Sequence, residues 1–324
     1  MVNKLLIIRP KNLLIICFTL YLIKYSLINQ FLQAPALNNF NFFLFVFATI
    51  LITASGNIIN DINDMKTDEI NNKHNILNSK GGNVKVAKKW FFYLNFLALL
   101  IASYLAFKIG YPILLLIFIL TAVLLWWYAK SLKKSFLIGN LLVSALIALS
   151  IINLILFDIL PVIYINASAL IIIKIIMAYS LFAFLVNLKR EIIKDIIDIE
   201  GDKYINANTI PLKIGVVKTN IIIKALSILT IILISFWQYF QYSIFKTSFD
   251  LSNFGEKVNQ ISIWGTDVIS FFYVFLLQIV LFIFLYHCIN ATTKNDFIFL
   301  SRLSKIIMIL GITSISIFTL IYFQ

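Results

Sequence analysis

The chain has 324 residues and a formal net charge of +13, and it is 61% hydrophobic with a mean hydropathy of +0.96. Only 13% of the residues are charged, a composition that excludes a soluble globular domain. Membrane topology and attraction to anionic lipid headgroups explain the excess of lysine and arginine, so we do not expect nucleic-acid binding. Residues 1–324 contain no linker rich in proline, glycine or serine, which predicts a single membrane-embedded domain.

Apolar runs long enough to cross about 30 Å of hydrocarbon, roughly 20 residues each, follow one another along the whole chain. They are continuously apolar rather than alternating, so they predict an all-α bundle of nine transmembrane helices and not a barrel. The run at 161–187 is longer than one span needs, which predicts a tilt or a break. In chain order the predicted spans are 13–30, 39–57, 90–107, 111–127, 136–157, 161–187, 221–243, 267–288 and 304–323.

Lysine and arginine orient the predicted bundle, because the cytoplasmic segments of membrane proteins carry an excess of both. With the N-terminus inside, most of the 27 basic residues fall in cytoplasmic segments, and the C-terminus lies outside. The polar stretch 244–266 is then the only sizeable outside loop. We expect an integral protein of the inner (cytoplasmic) membrane, with its N-terminus and its functional site facing the cytoplasm.

Neither the cysteines nor the histidines indicate a metal site. Cys17 and Cys288 lie in predicted spans without the spacing of a disulfide framework or a zinc site, and we expect both in the core. His74 is expected in a loop and His287 inside a helix. The first apolar run contains Lys24 and lacks a clear cleavage site, so we expect the first helix to stay on the protein.

More than half of the 14 acidic residues fall in two short segments, both on the predicted cytoplasmic side. If each segment continues its apolar helix, its oxygen-bearing side chains share one face and repel one another unless a cation lies between them. The alternative is a solvated charged face neutralised by its own lysines, for example Lys194 with Asp198. Two such segments in corresponding positions favour Mg²⁺, which prefers oxygen ligands and phosphate. The two sets are Asn60, Asp61, Asp64 and Asp68, and Glu191, Asp195, Asp198 and Asp202.

A third polar segment, residues 128–134, joins the fourth and fifth predicted helices on the same side and supplies positive charge. Taken alone, Lys133 and Lys134 are typical of topology-setting residues. Beside Mg²⁺-loaded carboxylates they favour a polyanion, most naturally a diphosphate. A diphosphate site beneath a bundle with 30 phenylalanines predicts a substrate with an anionic head and a long apolar tail, as in a prenyl diphosphate.

These motifs resemble those of the UbiA-type intramembrane prenyltransferase family over nearly the whole chain. Asn57-x-x-Asn60-Asp61-x-x-Asp64-x-x-x-Asp68 is similar to the first aspartate-rich motif of that family, and residues 190–202 with 208–212 are similar to the second. Residues 128–134, running into Gly139 and Asn140, resemble the segment between helices four and five, and residues 9–12 resemble the common start. The fold of the family, with nine helices, agrees with the spans predicted above.

The resemblance implies Mg²⁺-dependent transfer of a prenyl group from its diphosphate to a small lipid or aromatic acceptor. Asp64, Asp198 and Lys133 would be the central catalytic residues. Tyr128, Lys133, Lys134, Lys194 and Asn57 would contact the diphosphate. The implied metal ligands are Asn60, Asp64, Asp68, Asp195, Asp198 and Asp202, with Asp61 as a further candidate. One departure is that the Lys-Pro and following basic residue of many members are missing after Asp68, where Lys73 or His74 would have to replace them.

The acceptor has no motif of its own. The segments 9–28 and 194–202 most resemble the digeranylgeranylglyceryl phosphate synthase branch, which implies geranylgeranylglyceryl phosphate as acceptor. Hydroxybenzoate and dihydroxynaphthoate are the alternative acceptors, and a transporter or cation permease is the alternative from another class. Against transport, the acidic residues lie at helix ends and not near the midplane. Lys24 is consistent with an acceptor-phosphate contact, and equally with snorkelling or internal pairing.

Overall fold

The computed structural model describes residues 6–71, 73, 75–78, 82–253 and 264–323. Within these residues every regular element is helical, and nine helices are long and apolar enough to span a membrane, which confirms the predicted fold class. The nine are α1 Pro10–Phe31, α2 Asn39–Ile70, α3 Val84–Lys108, α4 Pro112–Lys130, α5 Ile138–Ile165, α6 Ala169–Ile197, α7 Ile210–Asn253, α8 Val268–Asn290 and α9 Lys294–Tyr322.

Several helices extend beyond the apolar runs that predicted them. Helix α2 has 32 residues and is therefore about 48 Å long, which exceeds the roughly 30 Å of a hydrocarbon core. Its N-terminus is fixed by Asn38, whose side chain accepts a hydrogen bond from the backbone N–H of Asn41 at 2.9 Å. The excess length lies at the other end, where the first acidic segment continues the helix beyond the apolar part.

The long apolar run at 161–187 is divided between two helices, so the prediction of a break there is confirmed and the single span is corrected. Helix α5 continues to Ile165 through a π-helical turn at Ile155–Ile159 and a tighter final turn, and α6 begins at Ala169. Apolarity alone could not locate this boundary.

The stretch 244–266 also differs from prediction. Helix α7 continues through the first residues of this stretch to Asn253, and residues 254–263 lie outside the described part of the chain.

Lys24 is buried at the end of the bundle opposite the acidic segments. It lies in a π-helical turn of α1, and its Nζ donates to Asp158 at 2.7 Å and to the carbonyl of Leu37 at 2.8 Å. Asp158 lies in the π-helical turn of α5 and accepts from the Leu37 backbone N–H at 2.8 Å. Lys24 is therefore internally paired, and its interpretation as an acceptor-phosphate contact is wrong.

The interior is built around α6, which packs against α5, α7 and α9. One apolar cluster fills the end near Lys24 and includes Phe42, Phe45 and Phe157, and a second fills the space between α6, α7, α8 and α9. Between these clusters the bundle leaves a cavity that opens toward the acidic segments.

Candidate active site

The last turns of α2 present the first acidic segment. Asp64 accepts hydrogen bonds from Lys133 and, at 2.6 Å, from the amide of Asn60 one turn earlier. The hydroxyl of Thr67 also lies 3.5 Å from the Asp64 carboxylate. Asn60 and Asp64 therefore share a face, as the spacing predicted, and Lys133 from the segment between α4 and α5 reaches the same carboxylate.

Asp61 and Asp68 have different partners. Asp61 is buried and accepts from Arg9 at 2.5 Å. Burial disfavours the charged guanidinium, but the carboxylates of Asp61, Asp64 and Asp68, with Asp61 contributing most, together raise the pKa of Arg9. Asp68 accepts from Asn75 at 2.8 Å, and the same Asn75 amide donates to the backbone carbonyl of Asp61 at 2.9 Å. Asp61 thus turns toward the N-terminal segment, which distinguishes it from the other carboxylates of its motif.

The second acidic segment is not one continuous helix. Helix α6 ends at Ile197, Asp198 has a non-helical backbone with φ −99° and ψ 8°, and a short helix follows at Ile199–Tyr204. The prediction of one shared helical face from Glu191 to Asp202 is therefore wrong at Asp198. The break places Asp198 at a corner, with its backbone amide still bonded to the Lys194 carbonyl at 2.9 Å.

Asn71, directly after α2, holds the two acidic segments together. Its side-chain oxygen accepts from the Gly201 backbone N–H at 2.9 Å, and its amide lies 3.4 Å from the Asp198 carbonyl. A Cβ on Gly201 would lie 2.8 Å from the carbonyl oxygen of Thr67 and closer still to the Asn71 amide. Only glycine allows the short helix to lie this close to the end of α2.

Asp195, Asp198 and Asp202, the other predicted ligands in the second segment, are also paired or partly buried. Lys73 forms an ion pair with Asp198, whereas His74 lies outside the described residues. Asp195 accepts from Asn140 at 2.8 Å. The pKa of Asp202 is raised to about 7, mainly by burial. The negative charge of Asp198 adds to this increase, and that of Asp64 adds less. The two acidic segments are thus within electrostatic reach of each other.

The basic residues of the site fall into two groups. Lys133 reaches Asp64, while Lys134 is exposed and its backbone carbonyl accepts from the Asn208 N–H at 2.7 Å. On α6, Lys194 donates to Glu191 at 2.5 Å and Arg190 donates to the same carboxylate oxygen at 3.3 Å. Lys194 therefore pairs with Glu191, and the alternative in which it neutralises Asp198 is wrong.

A cavity of about 220 Å³ is lined by residues of this polar surface and of the interior. At its mouth lie Asn57, Asn60 and Tyr128 on one wall, and Arg190, Glu191, Lys194 and Lys305 on the other. Its deeper walls are mainly apolar side chains of α1, α2, α4, α5 and α9, including Ile52, Phe118, Leu125, Leu146 and Ile312. Asn57 is held in place by a 2.8 Å bond from its amide to the Ile8 carbonyl. The shape suits a molecule with an anionic head and an apolar tail.

The oxygen-rich donor set fits Mg²⁺. Asn60 donates its amide N–H groups toward Asp64 and leaves Oδ1 buried, with no hydrogen-bond partner among the described residues. An amide oxygen beside a carboxylate is the kind of ligand that Mg²⁺ takes. Within the described ranges no three acidic, histidine or cysteine side chains converge as a metal cage, and Lys133 and Lys73 form ion pairs with Asp64 and Asp198.

A family model described as the UbiA prenyltransferase family matches residues 14–249, most of the chain. This chain belongs to the UbiA prenyltransferase family. The match includes both acidic segments and the basic segment between α4 and α5, and it confirms the predicted class of membrane prenyltransferase.

Named relatives and solved structures agree with this membership. The chain is 34% identical over 210 residues to a digeranylgeranylglyceryl phosphate synthase of Methanosphaera stadtmanae, covering 64% of this chain and 70% of that protein. It is 33% identical over 184 residues to the synthase of the same name from Sulfolobus acidocaldarius, covering 56% of this chain and 61% of that protein.

Among solved structures, one from a study of digeranylgeranylglyceryl phosphate synthase in membranes has a TM-score of 0.63 at 23% identity, covering 98% of this chain and 97% of that chain. A UbiA homologue from Archaeoglobus fulgidus, bound to DMAPP and Mg²⁺, has a TM-score of 0.54 at 16% identity, covering 97% and 99%. At these identities the structures establish a shared fold for the UbiA family members.

Sequence reasoning did not identify the asparagines that position the acidic residues of this family member. Asn75 bonds to the first acidic segment, whereas Asn71 and Asn140 bond to the second acidic segment across 130 and 55 residues of sequence. A single asparagine carries no pattern, although Asn140 lies in the segment that carried the family resemblance. Lys305 on α9, which lines the cavity, was not identified either, because nothing in the apolar run of α9 shows that this helix borders the cavity.

Proposed function

We propose that this chain transfers a geranylgeranyl group from its diphosphate to the free hydroxyl of geranylgeranylglyceryl phosphate. The observation that carries the proposal is the cavity, whose polar mouth lies at the ends of α2 and α6 and whose depth is apolar. The names of the relatives support the acceptor. The prenyl diphosphate and Mg²⁺ bound by the Archaeoglobus fulgidus homologue support the donor and the metal.

The two acidic segments would hold Mg²⁺ through oxygen ligands. The proposed ligands are Asn60, Asp64, Asp68, Asp195, Asp198 and Asp202. Asp61 is the weaker candidate, because Arg9 already binds its carboxylate. When bound, Mg²⁺ neutralises the charge that develops on a departing diphosphate and makes it a better leaving group. Asp64 and Asp198 are central in this proposal. Each forms an ion pair with a lysine, Lys133 or Lys73, which a bound Mg²⁺ would have to displace.

The diphosphate would lie over the wall formed by α2 and α4. Lys133, released from Asp64, would bind a phosphate oxygen, and Tyr128 and Asn57 line the mouth of the cavity. Lys134 is exposed beside Lys133, and Lys194 faces the mouth from α6. These are the residues that would hold the diphosphate while its bond to the prenyl C1 carbon breaks.

The prenyl chain would extend into the apolar part of the cavity. Leu125 and Phe118 lie one and roughly three turns below Tyr128 on α4 and exclude water from the allylic cation. The acceptor hydroxyl attacks C1 as the C–O bond to the diphosphate breaks. The diphosphate leaves with the electron pair, and it also receives the hydroxyl proton.

The protein is an integral membrane protein, and we infer that the site faces the cytoplasm of the inner membrane. The support is the distribution of lysine and arginine, which concentrates at the same end of the bundle as both acidic segments. The diphosphate head of the amphiphilic donor would then meet the mouth at the aqueous side, and the lipid acceptor would reach it from the membrane.

The test is product identification with purified protein in lipid vesicles. We expect a diether product from geranylgeranyl diphosphate, Mg²⁺ and geranylgeranylglyceryl phosphate, detected by mass spectrometry. Hydroxybenzoate and dihydroxynaphthoate serve as competing acceptors. Formation of a prenylated aromatic product without the diether would show that the acceptor is aromatic and not a glyceryl phosphate. Movement of a solute without consumption of any prenyl diphosphate would favour a transporter.

A further inference from the structure

On the wall of the cavity formed by α6 and α9, Arg190 and Lys305 carry positive charge that the proposed diphosphate site, which takes only Lys194 from this wall, does not use. Arg190 and Lys305 both line the mouth there, and α9 packs against α6. Arg190 is the charged group that acts most strongly on Lys305, and the interaction is repulsive. Among the described residues no carboxylate forms an ion pair with Lys305, and Glu191 is already shared by Arg190 and Lys194. Two cations held together without a matching carboxylate favour an anion between them.

One turn deeper on α6, Asn187 presents an unused hydrogen-bond acceptor to the same cavity. Asn187 is only 1% exposed, it lines the cavity, and its Oδ1 has no partner in the part of the chain that is described. A buried amide oxygen without a partner costs free energy, which a ligand that donates a hydrogen bond would recover.

The orientation of the Asn187 amide follows from its neighbours. The hydroxyl of Ser144 donates to the Asn140 carbonyl at 2.6 Å, so its oxygen can only accept from Asn187. The Asn187 Nδ2 donates to that oxygen at 3.3 Å. Flipping the amide would place two acceptors against each other, and Oδ1 is therefore the atom left facing the cavity.

We propose that Arg190 and Lys305 bind the phosphate of the acceptor and that Asn187 Oδ1 accepts a hydrogen bond from its hydroxyl. This inference rests on the proposed function and deepens it. Asn187 and Arg190 are three residues apart on one helix face, so their backbone positions are about 4.5 Å apart along the helix axis, slightly less than one turn. A glyceryl phosphate with a free hydroxyl beside its phosphate ester spans such a distance. The donor diphosphate occupies the opposite wall, which brings the hydroxyl to the prenyl C1 carbon.

The same geometry selects against other acceptors. A free glyceryl lipid that lacks the phosphate leaves Arg190 and Lys305 unneutralised, and an acceptor that lacks the hydroxyl leaves Asn187 Oδ1 unpaired. The wild-type protein therefore prefers a phosphorylated acceptor with a free hydroxyl over the same lipid without its phosphate.

Steady-state kinetics of full-length variants in lipid vesicles test the proposal. We expect Lys305→Gln to raise the KM for geranylgeranylglyceryl phosphate about tenfold and to lower the preference over geranylgeranylglycerol by a similar factor, because a charge-assisted bond is lost. Asn187→Leu lowers kcat/KM for the acceptor about tenfold. Both variants keep the wild-type KM for geranylgeranyl diphosphate, which also shows that they are folded.

Lys294→Gln is the matched control for Lys305→Gln. Lys294 is an exposed lysine on the same helix, α9, and it is not among the residues that line the cavity. We expect it to leave the acceptor KM unchanged. Wild-type kinetics for the acceptor in both Lys305→Gln and Asn187→Leu would overturn this inference and leave the proposed function intact. Failure of the wild-type protein to prenylate any glyceryl phosphate would overturn the proposed function itself.

Discussion

The buried pair of Lys24 and Asp158 predicts a large and specific loss of stability when one partner is removed. Both side chains are almost fully buried, with 1% and 0% of their side-chain surface exposed. In Lys24→Met the Asp158 carboxylate keeps only the Leu37 backbone N–H as a donor among the described groups. Leaving one charge of a buried pair unpaired costs about 3–5 kcal/mol. We expect Lys24→Met to lower the free energy of unfolding by that amount.

A double-mutant cycle separates the ion pair from the packing of the side chains. Lys24→Met with Asp158→Leu removes both charges and keeps apolar volume, so the double variant is more stable than either single variant. The assay is equilibrium unfolding in mixed micelles. Single-variant effects that simply add in the double variant would refute the reasoning, because they would show that the two side chains do not interact.

Activity is the second readout of the same variants. Lys24 lies roughly 22 Å from Arg9 along α1, at ~1.5 Å per residue, and therefore far from the acidic segments. We expect the folded fraction of each variant to keep the wild-type kcat and the wild-type KM for both substrates. A raised acceptor KM in folded Lys24→Met protein would restore Lys24 as a contact for the acceptor.

Three further predictions concern the site and the redox state of the chain. We expect Gly201→Ala to force the short helix away from α2 and to lower the rate of prenyl transfer at least tenfold. Glu200→Ala is the control in the same assay, and because Glu200 is exposed we expect an unchanged rate. Lys73→Met removes the cation that competes for Asp198, so in isothermal titration without diphosphate Mg²⁺ binds about two- to fivefold more tightly, and weaker binding would contradict the competition. Both cysteines are free, so a reducing agent leaves the thermal unfolding transition unchanged, and a shift would show a disulfide.

The sequence predicted the number of spans and the two acidic segments because both depend on local composition. Twenty apolar residues cross a membrane wherever they occur, and carboxylates next to such runs stand out against them. The charged segments at residues 128–134 and 190–202 were located because they also stand out against the apolar runs beside them. What brings these segments together depends on residues such as Asn71, whose contacts join positions 127 to 130 residues apart.

The misjudged features depend on backbone geometry that composition does not encode. The two π-helical turns that turn Lys24 and Asp158 toward each other have no sequence signature, so Asp158 was not considered as the partner. The spacing of Lys194 and Asp198 on a continuous helix allowed these two residues to form an ion pair. The break after Ile197 instead places Asp198 next to Lys73. The cavity wall that carries Arg190 and Lys305 could not be predicted from the sequence, because it depends on the packing of α9 on α6.

The central claim is that the ends of α2 and α6 together hold the Mg²⁺ on which release of diphosphate depends. The most direct test measures Mg²⁺-dependent diphosphate release by Asp64→Asn and Asp198→Asn in lipid vesicles. Glu69→Gln and Glu200→Gln are controls, since these exposed carboxylates adjoin the same segments. We predict a loss of at least a hundredfold in the first two variants and wild-type rates in the controls. Mg²⁺-dependent release at the wild-type rate in folded Asp64→Asn and Asp198→Asn protein would contradict the claim.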